Sequence, residues 1–425
     1  MISKELLKEI LIRQRKLLEE RMKEKQVERE QIDKIKELKD LKHAVIITGI
    51  RRAGKSFFLS QIAKTFYSSY YYLNFEDERL YKFSVEDFEL FYQTAIELFG
   101  ESRTIFLDEI QNIKGWERWV RRMHDEGFKL YLTGSNAGLL SKELGTLLTG
   151  RHIPVVLFPF SFIEFLHFKE FDFKKEDIYI TERRAKIVRY FEEYIQKGGF
   201  PEFLKNGNIE ILQGYFNDIL QRDVVQRYSV KYPLQLKELA RYMITNSGKL
   251  MSYNKLRQIS ELKSTNTVIK YVDYIKTAYL IFTVPFFSYS LKQQLRNPFK
   301  VYSIDVGLKN TISFSFSKDF GRVYENIAVL HLLRKGYDVY YWKGENGEEV
   351  DFVVKRANKI EHLIQVTYEL EENKEREIKS LINASKELKC NSLIILTKEY
   401  EGEEKIKNKI VRYTPLWKWL LVSDL

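Results

Sequence analysis

Between residues 44 and 157 the chain carries short, unbroken apolar runs separated by longer stretches whose apolar positions recur at helical spacing. The runs are Ala44 to Thr48, Tyr70 to Phe75, Thr104 to Leu107, Lys129 to Thr133 and Ile153 to Leu157. A strand that is apolar at successive rather than alternate positions is buried on both faces, the condition of a parallel sheet covered by helices. The pattern therefore predicts a doubly wound α/β domain over residues 43–175. Upstream, residues 1–42 are dense in Lys, Arg and Glu and lack Gly and Pro. They space Leu6, Ile10, Leu17, Ile32, Ile35 and Leu38 for one or two charged surface helices that cover this domain.

Helical periodicity from Glu182 to Lys231 surrounds the turn signal Gly198 to Pro201 and predicts a helical lid or linker over 176–232. Three amphipathic segments follow, Leu234 to Asn246, Ser252 to Leu262 and Ser264 to Leu280. The last two open on a serine suited to cap a helix. With the strand-like run Leu280 to Phe287, they predict a winged helix-turn-helix over 233–290. The remainder, 291–425, alternates again. A helix at Arg322 to Lys335 precedes strands near Val339 to Trp342, Val350 to Lys355 and Ile360 to Tyr368, a charged helix at Asn373 to Lys389 and a strand at Ser392 to Thr397. This is a second, small α/β domain.

Composition sharpens the picture in three places. The 425 residues exceed one ordinary core, and an apolar fraction of 44% belongs to a folded rather than a disordered chain. A single cysteine, Cys390, excludes an internal disulfide and a cysteine-rich zinc module. No apolar run reaches the roughly 20 residues of a membrane span, and acids interrupt the amino-terminal stretch where an export signal would be apolar. The expectation is a cytoplasmic chain with no membrane partner. The net charge of +11 favours phosphate-rich partners, DNA among them. Because 70 basic residues are interleaved with 59 acidic ones, the same numbers also describe the surface of a thermophile protein, and charge alone does not separate the two.

The chemistry is carried by Gly49-Ile50-Arg51-Arg52-Ala53-Gly54-Lys55-Ser56, which follows the first strand directly and runs into the helix start at Phe57. Strand before and helix after are the context that a Walker A loop requires. Glycines let phosphate approach the backbone, and backbone N–H groups with the helix N-terminus present partial positive charge. Lys55 is then the group for the β- and γ-phosphates of ATP, and Ser56 for Mg2+. Arg51 and Arg52 either touch phosphate or add local field and salt bridges. Downstream, Thr104 to Leu107 ends in Asp108 and Glu109, acids at the carboxyl end of a parallel strand. Asp108 is the candidate that orients magnesium, and Glu109 the candidate catalytic base for the attacking water. One strand later, Ser135 or Asn136 stands at the same rim, as γ-phosphate sensor or as helix cap. The chain lacks the guanine-specific N-K-x-D stretch, which favours adenine.

These stretches, with L-L-T-G-R-H-I-P-V-V-L-F-P-F-S-F-I-E-F-L, N-F-E-D-E-R-L at Asn74 to Leu80 and G-G-F-P-E at Gly198 to Glu202, resemble a prokaryotic, especially archaeal, family of AAA+-type ATPases over almost the whole chain. The resemblance implies a P-loop NTPase core with an AAA+-like parallel sheet, then a helical and winged-helix region, then a restriction-endonuclease-like domain. Within it Arg151 becomes the candidate for stabilising charge on the transferred phosphoryl group, in cis or from a neighbouring subunit of a homo-oligomer, against a structural salt bridge. Arg222 is a second, weaker candidate.

In the last domain, G-E-E-V-D-F-V-V and I-E-H-L-I-Q-V-T-Y resemble the core of PD-(D/E)xK nucleases. Asp351 takes the first acid position, but Gln365 and Thr367 stand where the second acid and the lysine belong, so the domain is expected to bind or scaffold rather than cut. Glu325 and Glu349 are acids that no spacing argument places. Three functions remain open: a Mg-dependent ATPase acting on DNA through Lys255, Arg257, Lys263, Asn266 and Lys270; a nucleotide-controlled signalling or scaffold ATPase; and an ATP-coupled nuclease.

Overall fold

Strand β1 (Ala44–Thr48) is buried at every position and lies between two partners, which is why its sequence is uninterrupted Ala, Val, Ile and Thr. The computed structural model describes residues 2–135, 150–313 and 320–422. It places β1 in a five-stranded parallel sheet with β2 (Tyr71–Asn74), β3 (Thr104–Asp108), β4 (Lys129–Gly134) and β5 (His152–Val156), in the order β2-β3-β4-β1-β5. The register sets Thr48 opposite Gly134 and Asn74 opposite Asp108, so the ends of β1, β4, β3 and β2 form one rim. Successive side chains of a strand point to opposite faces. Ala44 and Ile46 accordingly join one core with Phe88, Phe91 and Trp119, and Val45 and Ile47 join another with Phe58, Leu59 and Ile62.

The charged amino-terminal segment forms helices Lys4–Lys23 and Gln31–Leu38. Leu7, Ile10 and Leu11 enter the first core, and Leu18, Ile32 and Ile35 the second. At about 1.5–3 kcal/mol for each buried aliphatic side chain, these helices are part of the domain and not an appendage. This sheet and its helices make up the compact unit Met1–Phe158.

The second unit is Pro159–Leu425, so residues 159–175, read from the sequence as the end of the P-loop domain, belong here. It opens with helices Phe162–Phe168, Thr181–Lys197, Pro201–Asn206 and Ile209–Asp218 and a π-helix, Ile219–Gln226. A helix (Pro233–Thr245), a short strand β6 (Leu250–Met251), two helices (Tyr253–Ser260, Thr265–Thr277) and a hairpin of β7 (Ile281–Val284) and β8 (Phe299–Ser303) follow. The Ser252 hydroxyl accepts from the Lys255 N–H, as a cap should, whereas Ser264 makes no such bond. The three strands pair antiparallel in the order β6-β8-β7. Since β8 lies beyond residue 290, a boundary there cuts through this sheet.

A six-stranded sheet completes the unit, in the order β13-β14-β12-β11-β10-β9, from β9 (Asp338–Lys343), β10 (Glu349–Arg356), β11 (Lys359–Val366), β12 (Leu393–Thr397), β13 (Gly402–Ile406) and β14 (Lys409–Pro415). Helices Phe320–Arg334, Leu370–Leu388 and Leu416–Val422 pack on it. One apolar core joins Phe162, Phe191 and Tyr194 to Tyr324, Phe352, Ile364 and Trp419, so the helical stretch and the last sheet are not independently packed.

His331 sits inside this unit with its ring 4.7 Å from that of Trp419. Burial, with Lys335 and Arg334 nearby, pushes its pKa down to about 3. A histidine held neutral contributes stability above its ordinary pKa near 6.5 and loses it as pH falls toward the folded value. Between pH 6.5 and 5 this costs about 2 kcal/mol. Thermal unfolding of His331→Leu followed over that range should lack this part of the wild-type acid sensitivity; identical pH slopes in the two proteins would refute the assignment.

Candidate nucleotide-binding site

The loop after β1 turns sharply because three residues take positive φ: Gly49 at 143°, Arg52 at 70° and Gly54 at 93°. A β-carbon on Gly49 would lie 2.1 Å from the Leu157 carbonyl oxygen, so glycine is required there by contact as well as by dihedral. Ile50 and Ala53 are buried, and the Ala53 N–H donates to the Ile50 carbonyl at 3.2 Å, closing the turn. The helix that follows, Lys55–Phe66, has Gly54 at its N-cap and no side-chain cap, which leaves the first-turn N–H groups facing the loop.

Lys55 is 5% exposed, and its ammonium lies 3.3 Å and 3.4 Å from the carbonyls of Gly49 and Ile50 and 3.6 Å from Glu109 Oε1. A buried ammonium normally holds its partners closer than this. The donor set of Lys55, glycine-rich backbone and uncapped helix start fits a polyphosphate.

The acids face this loop from the neighbouring rim. Asp108 is fully buried: its Oδ1 accepts from the Thr133 hydroxyl and its Oδ2 from the Tyr72 hydroxyl at 3.1 Å, and the Ser56 hydroxyl also bonds it. Burial, and then the charge of Glu109, raise its pKa above the usual carboxylate range. Glu109 takes a left-handed conformation, φ 54°, just past the strand end, and its N–H donates to Thr133 Oγ1 at 2.8 Å. That turn aims its carboxylate at Lys55 and at the Gln111 amide. Thr133 thus fixes both acids at once. Ser56 and Asp108, the candidate magnesium pair, are in contact. Ser135 is buried next to Gly134, which pairs with Thr48; Asn136 lies outside the described residues.

The other arginine and rim positions are distributed differently. Arg51 donates to Glu76 at 3.0 Å, which ties the loop to the Asn74 to Leu80 stretch. Arg52 is exposed, and Phe57 is 38% exposed on the first turn of the helix. Arg151 stands at the opposite rim. Its carbonyl accepts from the N–H of Ala44, at the amino end of β1, and its guanidinium pairs with Asp125 at 3.2 Å. Five strand residues at about 3.3 Å each separate it from the loop of its own chain, roughly 16 Å. Arg222 is exposed on the π-helix of the other unit.

One residue that sequence reasoning missed is Arg29, only 4% exposed in the segment between the first two helices. Its guanidinium donates to the carbonyl of Ala53 in the loop at 2.9 Å and to that of Phe158. No motif marks it; an arginine beside the strain-prone Arg52 to Gly54 turn is visible only once the chain folds back. We expect Arg29→Ala to weaken nucleotide affinity about tenfold, the loss of about 1.4 kcal/mol in charge-assisted bonds that hold the loop, read by calorimetry. An unchanged Kd would show that the loop holds its shape without it.

In the second unit the structure gathers Asp351, with Glu325 and Glu349, which the sequence left unplaced, around a residue it did not single out, Lys300 of β8. Gln365 and Thr367 are both buried, and Gln365 lines the same cleft as the acids.

A family model described as an AAA domain matches residues 41–166, and two described as domains of unknown function, DUF8612 and DUF4143, match 188–319 and 320–419. An uncharacterized protein of Methanocaldococcus jannaschii is 40% identical over 398 residues, 88% of each chain. One of Haemophilus influenzae is 30% identical over 400 residues, 90% of this chain and 95% of that one. Among solved structures, the Walker-type ATPase of Pyrococcus abyssi is similar at 17% identity and a TM-score of 0.44, over 68% of this chain and 96% of its own. The Orc1 protein of Aeropyrum pernix in complex with DNA is similar at 12% identity and a TM-score of 0.28, over 68% and 93%. The loop geometry, the acid pair and the near full-length relatives agree: the chain belongs to a family of P-loop ATPases with an AAA domain and a carboxyl-terminal DUF4143 domain, to which the M. jannaschii and H. influenzae proteins also belong.

Proposed function

We propose that the chain binds ATP with Mg2+ at Gly49 to Ser56, hydrolyses it, and uses the cycle to act on DNA. The observation that carries the first part is the buried Lys55 ammonium with only distant partners, facing two acids fixed by one threonine. In this reading Lys55 and the loop N–H groups hold the β- and γ-phosphates, and Ser56 with Asp108 holds magnesium. The ion supplies neutralisation of phosphate charge when bound. Glu109 accepts a proton from, or orients, the attacking water, and its contact with Lys55 gives way to the phosphates.

The second part rests on the module from Pro233 to Ser303. A helix, a strand, two helices and a hairpin in that order are the arrangement of a winged helix, in which the second of the paired helices enters the major groove. Asn266 and Lys270 on Thr265–Thr277, Lys255 and Arg257 on the helix before it, and Lys263 between them are all exposed. A second reading, nucleotide-controlled self-assembly, draws support from Arg151. Standing on the rim away from its own loop, it is suited to act only on the nucleotide of another copy. Light scattering with and without ATP distinguishes this reading by a change in mass.

Two outcomes test the proposal. Lys55→Ala should abolish productive ATP binding, while Glu109→Gln should still bind ATP but turn it over at least 100-fold more slowly; normal turnover by Glu109→Gln would displace that residue from its role. Duplex binding should weaken steeply with salt, and Lys270→Ala should lower the slope of log affinity against log salt by about one. Absence of binding at low salt would remove DNA as partner without touching the ATPase.

A further inference from the structure

The resemblance of the last domain to metal-dependent nucleases raises the question of what its acids hold. In such cores one strand acid and the acid of an acid-x-lysine on the next strand hold a divalent ion, and the lysine orients water. Here Glu325 comes from the helix Phe320–Arg334, Glu349 and Asp351 from β10, and Gln365 from β11. They line a cleft of about 560 Å³ together with Arg322, Arg376 and Lys379.

The point on which the acids converge is a nitrogen atom. Lys300 Nζ lies 2.7 Å from Glu349 Oε1, 2.8 Å from Asp351 Oδ1 and 3.7 Å from Glu325 Oε2, and the side chain is 3% exposed. Two of these carboxylates make further hydrogen bonds. Asp351 Oδ2 accepts from the Val366 N–H at 3.0 Å, and Glu325 Oε2 accepts from the Tyr302 hydroxyl at 3.1 Å. Gln365 accepts from the Asp351 N–H at 3.0 Å and donates to Glu377. Thr367, where the nuclease lysine belongs, donates to the Glu369 carbonyl. A divalent ion asks for about six oxygens at roughly 2.0–2.6 Å around one centre. Among the described residues no group of three or more His, Cys, Asp or Glu is arranged that way. The residues present do not fit a metal.

We infer that Lys300, delivered by β8 from outside the six-stranded sheet, replaces the metal ion of this site with a fixed ammonium, turning it from a cation-binding centre into a charge lock between the β6-β8-β7 module and β10. This inference is independent of the ATPase reading. A lysine placed as catalytic helper would lie beside the ion, within reach of a substrate oxygen. Lys300 instead lies between the carboxylates, where the ion itself would be, and a second cation there would meet its charge.

Titration of nucleotide-free full-length protein with Mn2+ tests this by calorimetry and paramagnetic resonance. Wild type should show no uptake that disappears in Asp351→Asn, and no Mn2+-dependent DNA cleavage that depends on Asp351. Lys300→Met should lose thermal stability in chelator and recover it, with at least tenfold tighter Mn2+ binding than wild type, when Mn2+ is added. If that variant does not fold, Lys300→Met with Glu349→Gln, which buries one charge fewer, takes the same measurement. Asp351-dependent Mn2+ uptake or cleavage by wild type would overturn the inference and make Lys300 a catalytic lysine. Lack of any gained Mn2+ affinity in both lysine variants would overturn it as well.

Discussion

An ammonium group carried beneath a strand-to-helix turn, away from water, has to be met by negative charge or by dipoles, and the amino-terminal unit is arranged around that requirement. Lys55 is brought there by β1 and by a loop whose left-handed turns aim backbone inward. Its contacts run from 3.3 to 3.6 Å, so the requirement is only loosely met. The sheet order follows the same logic: β4 lies between β1 and β3 and contributes Thr133, whose hydroxyl donates to Asp108 and accepts from the Glu109 N–H. The acids are thereby held at a fixed distance from the loop without collapsing onto the lysine.

The second unit contains a buried lysine of the opposite kind. Lys300 has close partners at 2.7 and 2.8 Å, and the other oxygen of Asp351 is engaged by the Val366 N–H. A buried ion pair of this sort adds little net stability over an apolar pair, but losing one partner leaves a charge stranded, which makes the contact specific. Lys55 has its contacts at 3.3 to 3.6 Å, whereas Lys300 has two acids within 2.8 Å. The difference is one of partner distance and count, not of residue type.

Much of the first unit is legible because its signals are local. The five apolar runs coincide with β1 to β5 within a residue or two, and the glycines at 49 and 54 mark the turn wherever the rest of the chain goes. The last strands are a contrary case. Gly402–Ile406 is mostly Glu and Lys, because β13 is an edge strand and its solvent side needs no apolar residue. Periodicity therefore has little to show there. The pairing across residue 290 is hidden for another reason: β8 is separated from β7 by a long excursion, and only pairing reveals that it completes the three-stranded sheet.

Sequence by itself determined the class of the first domain, the glycine turn after β1 and the acid pair at the end of β3, since each depends on residues adjacent in the chain whose backbone conformation is set locally. Tertiary structure decided the contacts between distant segments. It put Arg151 on the rim away from its own loop, Arg29 under the turn, and Lys300 among acids 25 to 51 positions further along the chain. Such contacts are chosen by strand order and core packing. Neither is written in any single stretch, because both are set by the free energy of the whole assembled unit.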